Sequence, residues 1–462
     1  MTGDSYRERV RSALAGGWRF GALYATADCG RVRALLVDPS GETRLETVPV
    51  EGGAVPSLVD LAPAAGWDER EAHDLYDIDF AGHEPLRPLV DHDLDLSRWT
   101  VPVRGDDTYQ VAAGPVHAGV IESGHFRFHV VGDRILHLDA RLFYKHRGLE
   151  KAAEGSALEA GLAYACRACG ACAVTNGVAY ALACEAARGL RSGRELARIR
   201  TVLLELERIW SHLNDIAAAC AGTGLAAGNN RFAELTERAR RLNAVLTGHR
   251  FLFGSVRVGG SDLALDEDIV RVARTELALL REDATSGWRE LSFNASFQDR
   301  LPDIGIVDAY DVRRLGTVGP AARAAGVAED VRSLAPELAY EDFRPVTPKR
   351  AIGDVQARVE QRALELWQSL DILERLLDRP IAPAAAERGW PEAEIGVGRV
   401  ESPRGATACI VERSGDRVER LHLRTGSYAN WPSVAHAAAG DLFPDFPLIN
   451  KSFELCYACP DR

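Results

Sequence analysis

The sequence predicts an α+β protein: a small N-terminal α+β domain, then a mainly helical bundle domain with peripheral antiparallel β-hairpins and a metal site at the base of the bundle. Three observations lead there. Strand-like stretches broken by turn residues fill the first fifty positions. Beyond residue 155, apolar positions recur every three and four, the period of a helix with one buried face. Two C-x-x-C pairs, Cys169/Cys172 and Cys456/Cys459, stand at opposite ends of that helical sequence, and cysteines at this spacing bring two sulfurs to one side of a turn.

Taken in order, residues 1–97 form the first unit. Residues 18–26 and 33–37 are strand-like, Pro39-Ser-Gly41 supplies a turn, and 43–50 resumes as strand. Residues 67–83 read as a short helix running into a Gly/Pro loop. A polar linker is expected at 98–108, and 109–462 form the second unit. There, residues 126–138 alternate around Gly132-Asp133 as a hairpin. Ile199, Val202, Leu203, Leu206, Ile209, Leu213 and Ile216 mark one buried helix face. Leu235, Ala239, Leu242 and Leu246 mark another, closed by Gly248, and residues 355–377 a third. Residues 396–424 return to strand around Ser414-Gly-Asp416. A bundle of this kind can present metal ligands inward from its ends.

Of the 462 residues, 46% are hydrophobic and 26% charged, the balance of a folded globular chain. The net charge of −12 is interspersed rather than blocked, which argues against a nucleic-acid partner. No run reaches the roughly 18 apolar residues of a membrane span, and residues 1–7 lack the apolar core of a signal peptide. The expected location is therefore cytoplasmic, with nine cysteines serving metal or redox chemistry rather than disulfides. Cys29, Cys184, Cys220 and Cys409 have no paired spacing and are expected to be small buried residues.

Four cysteine sulfurs suit zinc, iron–sulfur, or nickel with iron. The pairs of a structural zinc site usually lie about 15–20 residues apart, far closer than these. A bacterial ferredoxin run would continue Cys166, Cys169, Cys172 with a fourth cysteine, and the chain has Asn176 there.

Arg167-Ala-Cys169-Gly-Ala-Cys172 and Glu454-Leu-Cys456-Tyr-Ala-Cys459-Pro-Asp-Arg462 resemble the R-x-C-G-x-C and D-P-C-x-x-C-x-x-H/R motifs of the large subunit of nickel–iron hydrogenases. All four metal cysteines are present, whereas the related large subunit of respiratory complex I has lost them. Trp67-Asp-Glu-Arg-Glu71 through Gly82-His83-Glu-Pro-Leu-Arg87 resembles the docking signature of the complex I 30 kDa subunit. Gly114-Pro-Val-His117-Ala-Gly, Gly124-His-Phe-Arg-Phe128 and His146-Arg-Gly-Leu-Glu150-Lys151 resemble the signature that complex I shares with energy-converting, formate-hydrogenlyase-type hydrogenases.

This resemblance implies a 30 kDa-like docking unit fused to a 49 kDa-like hydrogenase large subunit. It implies that Cys169, Cys172, Cys456 and Cys459 hold a nickel–iron centre whose iron carries diatomic ligands, Cys172 and Cys459 bridging and Cys169 and Cys456 terminal, with magnesium as a further candidate ion. The implied activity is reversible conversion of protons and electrons to dihydrogen. Cleaving so weak an acid requires a metal to accept the electron pair and a base to accept the proton. Cys456 is the implied first proton acceptor, and Glu122 the proton-transfer carboxyl, expected to be buried with a raised pKa. Arg404, in Glu401-Ser-Pro-Arg404-Gly405, is the arginine over the metals.

The implied partners are a small iron–sulfur electron-transfer subunit, a ferredoxin-like subunit and antiporter-like membrane subunits, so that the chain sits peripherally on the inner face of the cell membrane. The alternative is a complex I-like NADH/quinone oxidoreductase subunit that binds quinone or scaffolds electron transfer without hydrogenase turnover. Three positions depart from the hydrogenase pattern: Asn176 stands for histidine, and Glu454-Leu455 for Asp-Pro. Arg462 falls where such subunits are cut during maturation, so the chain is expected to be either the processed form or one that requires no cleavage.

Overall fold

The computed structural model describes residues 3–91, 99–116 and 122–462, residue 4 by its backbone alone. Residues 117–121 of the Gly114–Glu122 motif, and 92–98 where the first unit was expected to pass into the linker, lie outside the described residues.

In the N-terminal unit, α1 (Gly3–Ala15) and α2 (Gly66–Tyr76) pack with an antiparallel sheet of β1 (Arg19–Ala25), β2 (Arg31–Val37) and β3 (Thr43–Pro49). The run Ala34-Leu-Leu-Val37 is apolar without alternation because both faces of the sheet are covered. Ala34 and Leu36 join Tyr6, Val10 and Ala72 in the core of this unit. Leu35 and Val37 join Ala22, Tyr24, Ala408 and Ile410 in a seam with the second unit.

The expected hairpin at Gly132-Asp133 is present as β5 (His125–Val131) and β6 (Arg134–Arg141), but it belongs to a three-stranded sheet. Its third strand, β4 (Thr108–Ala113), begins at the last residue of the predicted linker and pairs with β5. Little of β4 is buried, so it carries no apolar alternation to read.

The helices are α3 (Leu158–Arg167), α4 (Ala173–Ala187), α5 (Arg194–Gly222), α6 (Ala226–Thr247), α7 (Glu267–Ser292) and α8 (Val355–Leu376). The end of α6 is set by Gly248, which adopts φ +81 and donates its N–H to Ala244. Instead of one buried face, α5 is enclosed nearly all round, and buries Glu205, Glu207, Arg208, His212 and Asp215 together with the expected apolar residues. The amphipathic α7, which packs on α6 and α8 and buries Val270, Ala273, Leu277 and Leu280, is an addition to the predicted elements.

The sheet of β7 (Ile395–Ser402), β8 (Gly405–Ser414) and β9 (Arg417–Arg424) lies against α4. Gly396 and Gly398 permit this, since a Cβ at either would run into the carbonyl of Ala183 or Ala179. The chain then closes with α9 (Gly426–Ala438), α10 (Phe446–Phe453) and α11 (Ala458–Asp461). Cys184, Cys220 and Cys409 are buried as expected; Cys29 is half-buried in a turn at φ +55, a correction to its predicted place in a core. Among the described residues, no helix is long and apolar enough to cross a membrane.

Candidate metal centre

Cys169 and Cys172 lie in the break between α3 and α4. Cys169 is extended at φ −154, and Gly170–Cys172 make one 3-10 turn before α4 begins. The other pair follows α10, which Glu454 stops by adopting the left-handed conformation at φ +48. The Cys456 N–H then donates to Ser427 Oγ at 3.1 Å, and Cys459 sits in α11.

One side chain staples the two segments. The Arg147 guanidinium donates to the carbonyls of Arg167 and Ala168 at 3.0 and 2.8 Å and to that of Ala458 at 3.3 Å. The carbonyls just ahead of Cys169 and Cys459 thus share one cation. Its role has a visible signal, in that Arg147 falls within the His146–Lys151 motif.

The four cysteines form one cluster. The sulfurs of Cys169 and Cys456 approach to 2.9 Å, and those of Cys169, Cys456 and Cys459 all lie within 4.8 Å of one another. Cys172 is held to Cys169 and Cys459 by side-chain hydrogen bonds. Hydrogen bonding to Cys169, then burial, raises the Cys172 and Cys456 thiols well above the ordinary value. Four thiolates crowded together repel one another, so a soft cation that displaces their protons is what this set is built to accept. Asn176, one turn past Cys172, is fully buried, and neither its amide N nor its O has a partner among the described residues. The donor set and this orphaned amide both fit an additional bound group.

Arg404 occupies the tight turn between β7 and β8. It is buried, and its two terminal nitrogens grip both oxygens of Asp215 at 2.8 and 2.9 Å. Asp215 also receives Arg362 Nε at 3.1 Å and His212 Nδ1 at 3.3 Å. Against the cost of burial, Asp215, Cys172, Glu454 and Cys456 together hold the Arg404 charge firmly in place. The turn depends on close backbone approach, for a Cβ on Gly426 would come within 2.8 Å of the Arg404 and Gly405 main chain. Asp215, which sequence reasoning missed, is one of several charged residues inside an otherwise apolar helix.

Glu122 is half-buried rather than buried. It acts electrostatically on Cys456, Tyr457 and Asp461. The nearby Gly124 abuts the Tyr457 ring, where a Cβ would come within 2.6 Å of it. Three carboxyls around the cysteines have raised pKa values. Glu454 is pushed to about 7 by burial and by Asp215, and Asp461 to about 6, chiefly by burial. Glu207 is pushed to about 7 by burial, although it accepts the N–H groups of Val174 and Thr175 and the Thr175 hydroxyl. It caps α4 directly after Cys172.

Because the folded chain raises Glu207 from 4.5 to about 7, it binds a proton there more tightly than the unfolded chain does. Its contribution to stability is therefore complete below pH 4.5 and is lost as pH rises to about 7. The size is about 3 kcal/mol. Unfolding measured across this window should show that decline in the native chain, and a flatter profile in Glu207→Gln.

Two family models match parts of the chain. Residues 229–389 match the family described as the respiratory-chain NADH dehydrogenase 49 Kd subunit, and 19–110 match the 30 Kd subunit. Formate hydrogenlyase subunit 5 of Escherichia coli (strain K12) is 30% identical over 88% of this chain and 77% of its own length. The fused C/D component of NADH-quinone oxidoreductase from Phocaeicola vulgatus is 28% identical over 79% of this chain and 78% of its own. Among solved structures, a chain of the membrane-bound sulfane sulfur reductase, an archaeal respiratory membrane complex, superposes with a TM-score of 0.70 at 27% identity, covering 78% of this chain and all of that one. The chain belongs to the family of fused 30 kDa/49 kDa-type subunits that hydrogenases of the formate-hydrogenlyase type share with respiratory complex I.

Proposed function

We propose that this oxidoreductase-family chain is the catalytic large subunit of a nickel–iron hydrogenase, converting protons and electrons to dihydrogen and back. The observation that carries the reading is the convergence of four cysteine sulfurs, two of them interacting electrostatically with the buried Arg404 that Asp215 grips. Cys169, Cys172, Cys456 and Cys459 would hold the centre, which when bound supplies the electron-accepting site that dihydrogen cleavage requires.

The remaining work falls to this chain's own groups. Cys456 takes the proton at Sγ, and Glu122 carries it away at its carboxylate. Arg404, kept planar and oriented by the two-point grip of Asp215, presents a fixed positive charge to the reacting face. Trp431 packs edge-on against Tyr457 at 5.0 Å, with Phe126 beside both, and its indole N–H donates to the Cys456 carbonyl at 3.5 Å. Electrons leave through a small iron–sulfur subunit and a ferredoxin-like subunit, docked with the help of the 1–97 unit. Antiporter-like subunits anchor the assembly to the inner face of the membrane.

The test is nickel and iron quantification on anaerobically prepared protein purified with its partners, with one of each expected per chain. Glu122→Gln should keep both metals and slow hydrogen–deuterium exchange about a hundredfold, since an amide cannot relay a proton by titrating. Near-native exchange in that variant removes the relay role. A second reading, a quinone-binding or scaffolding subunit, draws on the likeness to NADH-quinone oxidoreductase subunits and on Asn176. Protein with its partners but no nickel supports it.

A further inference from the structure

Three residues past Cys459, the Arg462 side chain is buried where it meets both units. Its Nε donates to Glu150 Oε1 at 2.6 Å, its Nη2 to Glu71 Oε1 at 2.7 Å, and its guanidinium carbon lies 4.7 Å from the centre of the Tyr428 ring. Nη1 is buried with no partner among the described residues. Glu150 also accepts the Leu423 N–H at 2.8 Å, and its second oxygen faces His422 Nδ1 at 3.4 Å and Arg420 Nη2 at 3.8 Å. One donor atom each from Glu71, Glu150 and His422 lie within 4.8 Å of one another.

Two carboxylates and an imidazole at that spacing form a donor set for a hard divalent cation. Two buried carboxylates this close do not both ionise without a positive charge between them. Glu150, despite burial, is held well below the ordinary value by Arg462, His422 and Arg420, while burial leaves Glu71 raised. The charge between them is the guanidinium, so magnesium, expected as a further candidate ion, finds this cluster already filled.

We propose that Arg462 takes the place of a divalent cation in the Glu71–Glu150–His422 cluster, and that Glu71 is thereby a positioning residue through which the N-terminal unit holds the Cys456–Cys459 segment. The three parts are joined at one point. Glu71 is on α2 of the N-terminal unit. Glu150 is three residues from Arg147, the staple between the two cysteine segments. Arg462 directly follows the helix that carries Cys459. A cavity of about 410 Å³, lined by Tyr76, His146 and Lys151 as well as Glu71, Glu150 and Arg462, opens against the cluster and gives an ion access once the arginine is shortened.

The proposal borrows the nickel–iron reading only for the consequence at Cys459, and its test reads neither nickel nor turnover. Mn²⁺ is titrated into the full chain with its partners and followed by electron paramagnetic resonance. Arg462→Ala should gain one Mn²⁺ site that the further change Glu150→Gln removes, and the native chain should show none that Glu150→Gln abolishes. No gain in Arg462→Ala, or such a site in the native chain, overturns the replacement. Glu71→Gln keeps the shape and weakens the clamp, and should speed amide exchange over residues 456–462 by at least about tenfold, the scale of one charge-assisted hydrogen bond. Glu71→Asp should restore part of the protection. Unchanged exchange in Glu71→Gln overturns the positioning role, and it also decides the case if Arg462→Ala fails to fold. A nickel-free native protein with both of these results intact counts against the hydrogenase, not against the clamp.

Discussion

On the proposed hydrogenase function, Cys456→Ser protein should fold but bind no nickel–iron centre, with dihydrogen-dependent activity below about 1% of native. An alcohol is far more basic than a thiol and does not give up its proton to a soft metal at neutral pH. The other three sulfurs cannot compensate, because Cys169 and Cys172 are fixed in the α3–α4 break and Cys459 in α11. Folding should survive, since without a cation the Cys456 thiol holds its proton and serine is close to it in size. Elemental analysis, activity and circular dichroism on one preparation separate these outcomes. Cys29→Ser, in the half-buried turn of the N-terminal unit, should match the native protein in all three. Full nickel occupancy in Cys456→Ser would sink the four-sulfur assignment.

On the same proposal, Arg404→Lys should keep the metals and lose about a hundredfold in turnover. The buried charge is conserved, so Asp215 is not stranded, but an ammonium cannot grip both carboxylate oxygens while presenting a planar face to the centre. Arg404→Leu should behave differently. Removing one partner of a buried pair typically costs about 3–5 kcal/mol. Here the lower end is expected, because Asp215 keeps Arg362 and His212. The measurement is a pair of melting curves with metal content: lysine should lower turnover with little loss of stability, leucine both. Equal turnover in native and lysine proteins would remove Arg404 from the chemistry.

Much of this was legible in the residues. The strands at 19–25, 31–37 and 43–49 announced themselves by short strand-like runs between turn residues, and α5, α6 and α8 by their periodic apolar residues. The four cysteines were legible because C-x-x-C is a local geometric device. What escaped was of two kinds. The strand β4 has too little buried surface to leave a pattern. Asp215, Glu207, Glu71 and Arg147 are charged residues of the sort that most often face solvent, and only their partners distinguish them.

By itself the sequence determined most of the strands and helices, the two cysteine pairs and the likeness of motifs, because each depends on residues close together in the chain. Only the tertiary structure decided that Glu122 is half-buried, and that burial raises the pKa values of Glu454, Asp461 and Glu207. It alone decided that Asp215 holds Arg404 and that Arg462 fills a cluster shared by both units. The reason is that burial and Coulomb energy depend on distance in space, and the partners here lie up to 391 positions apart in the chain.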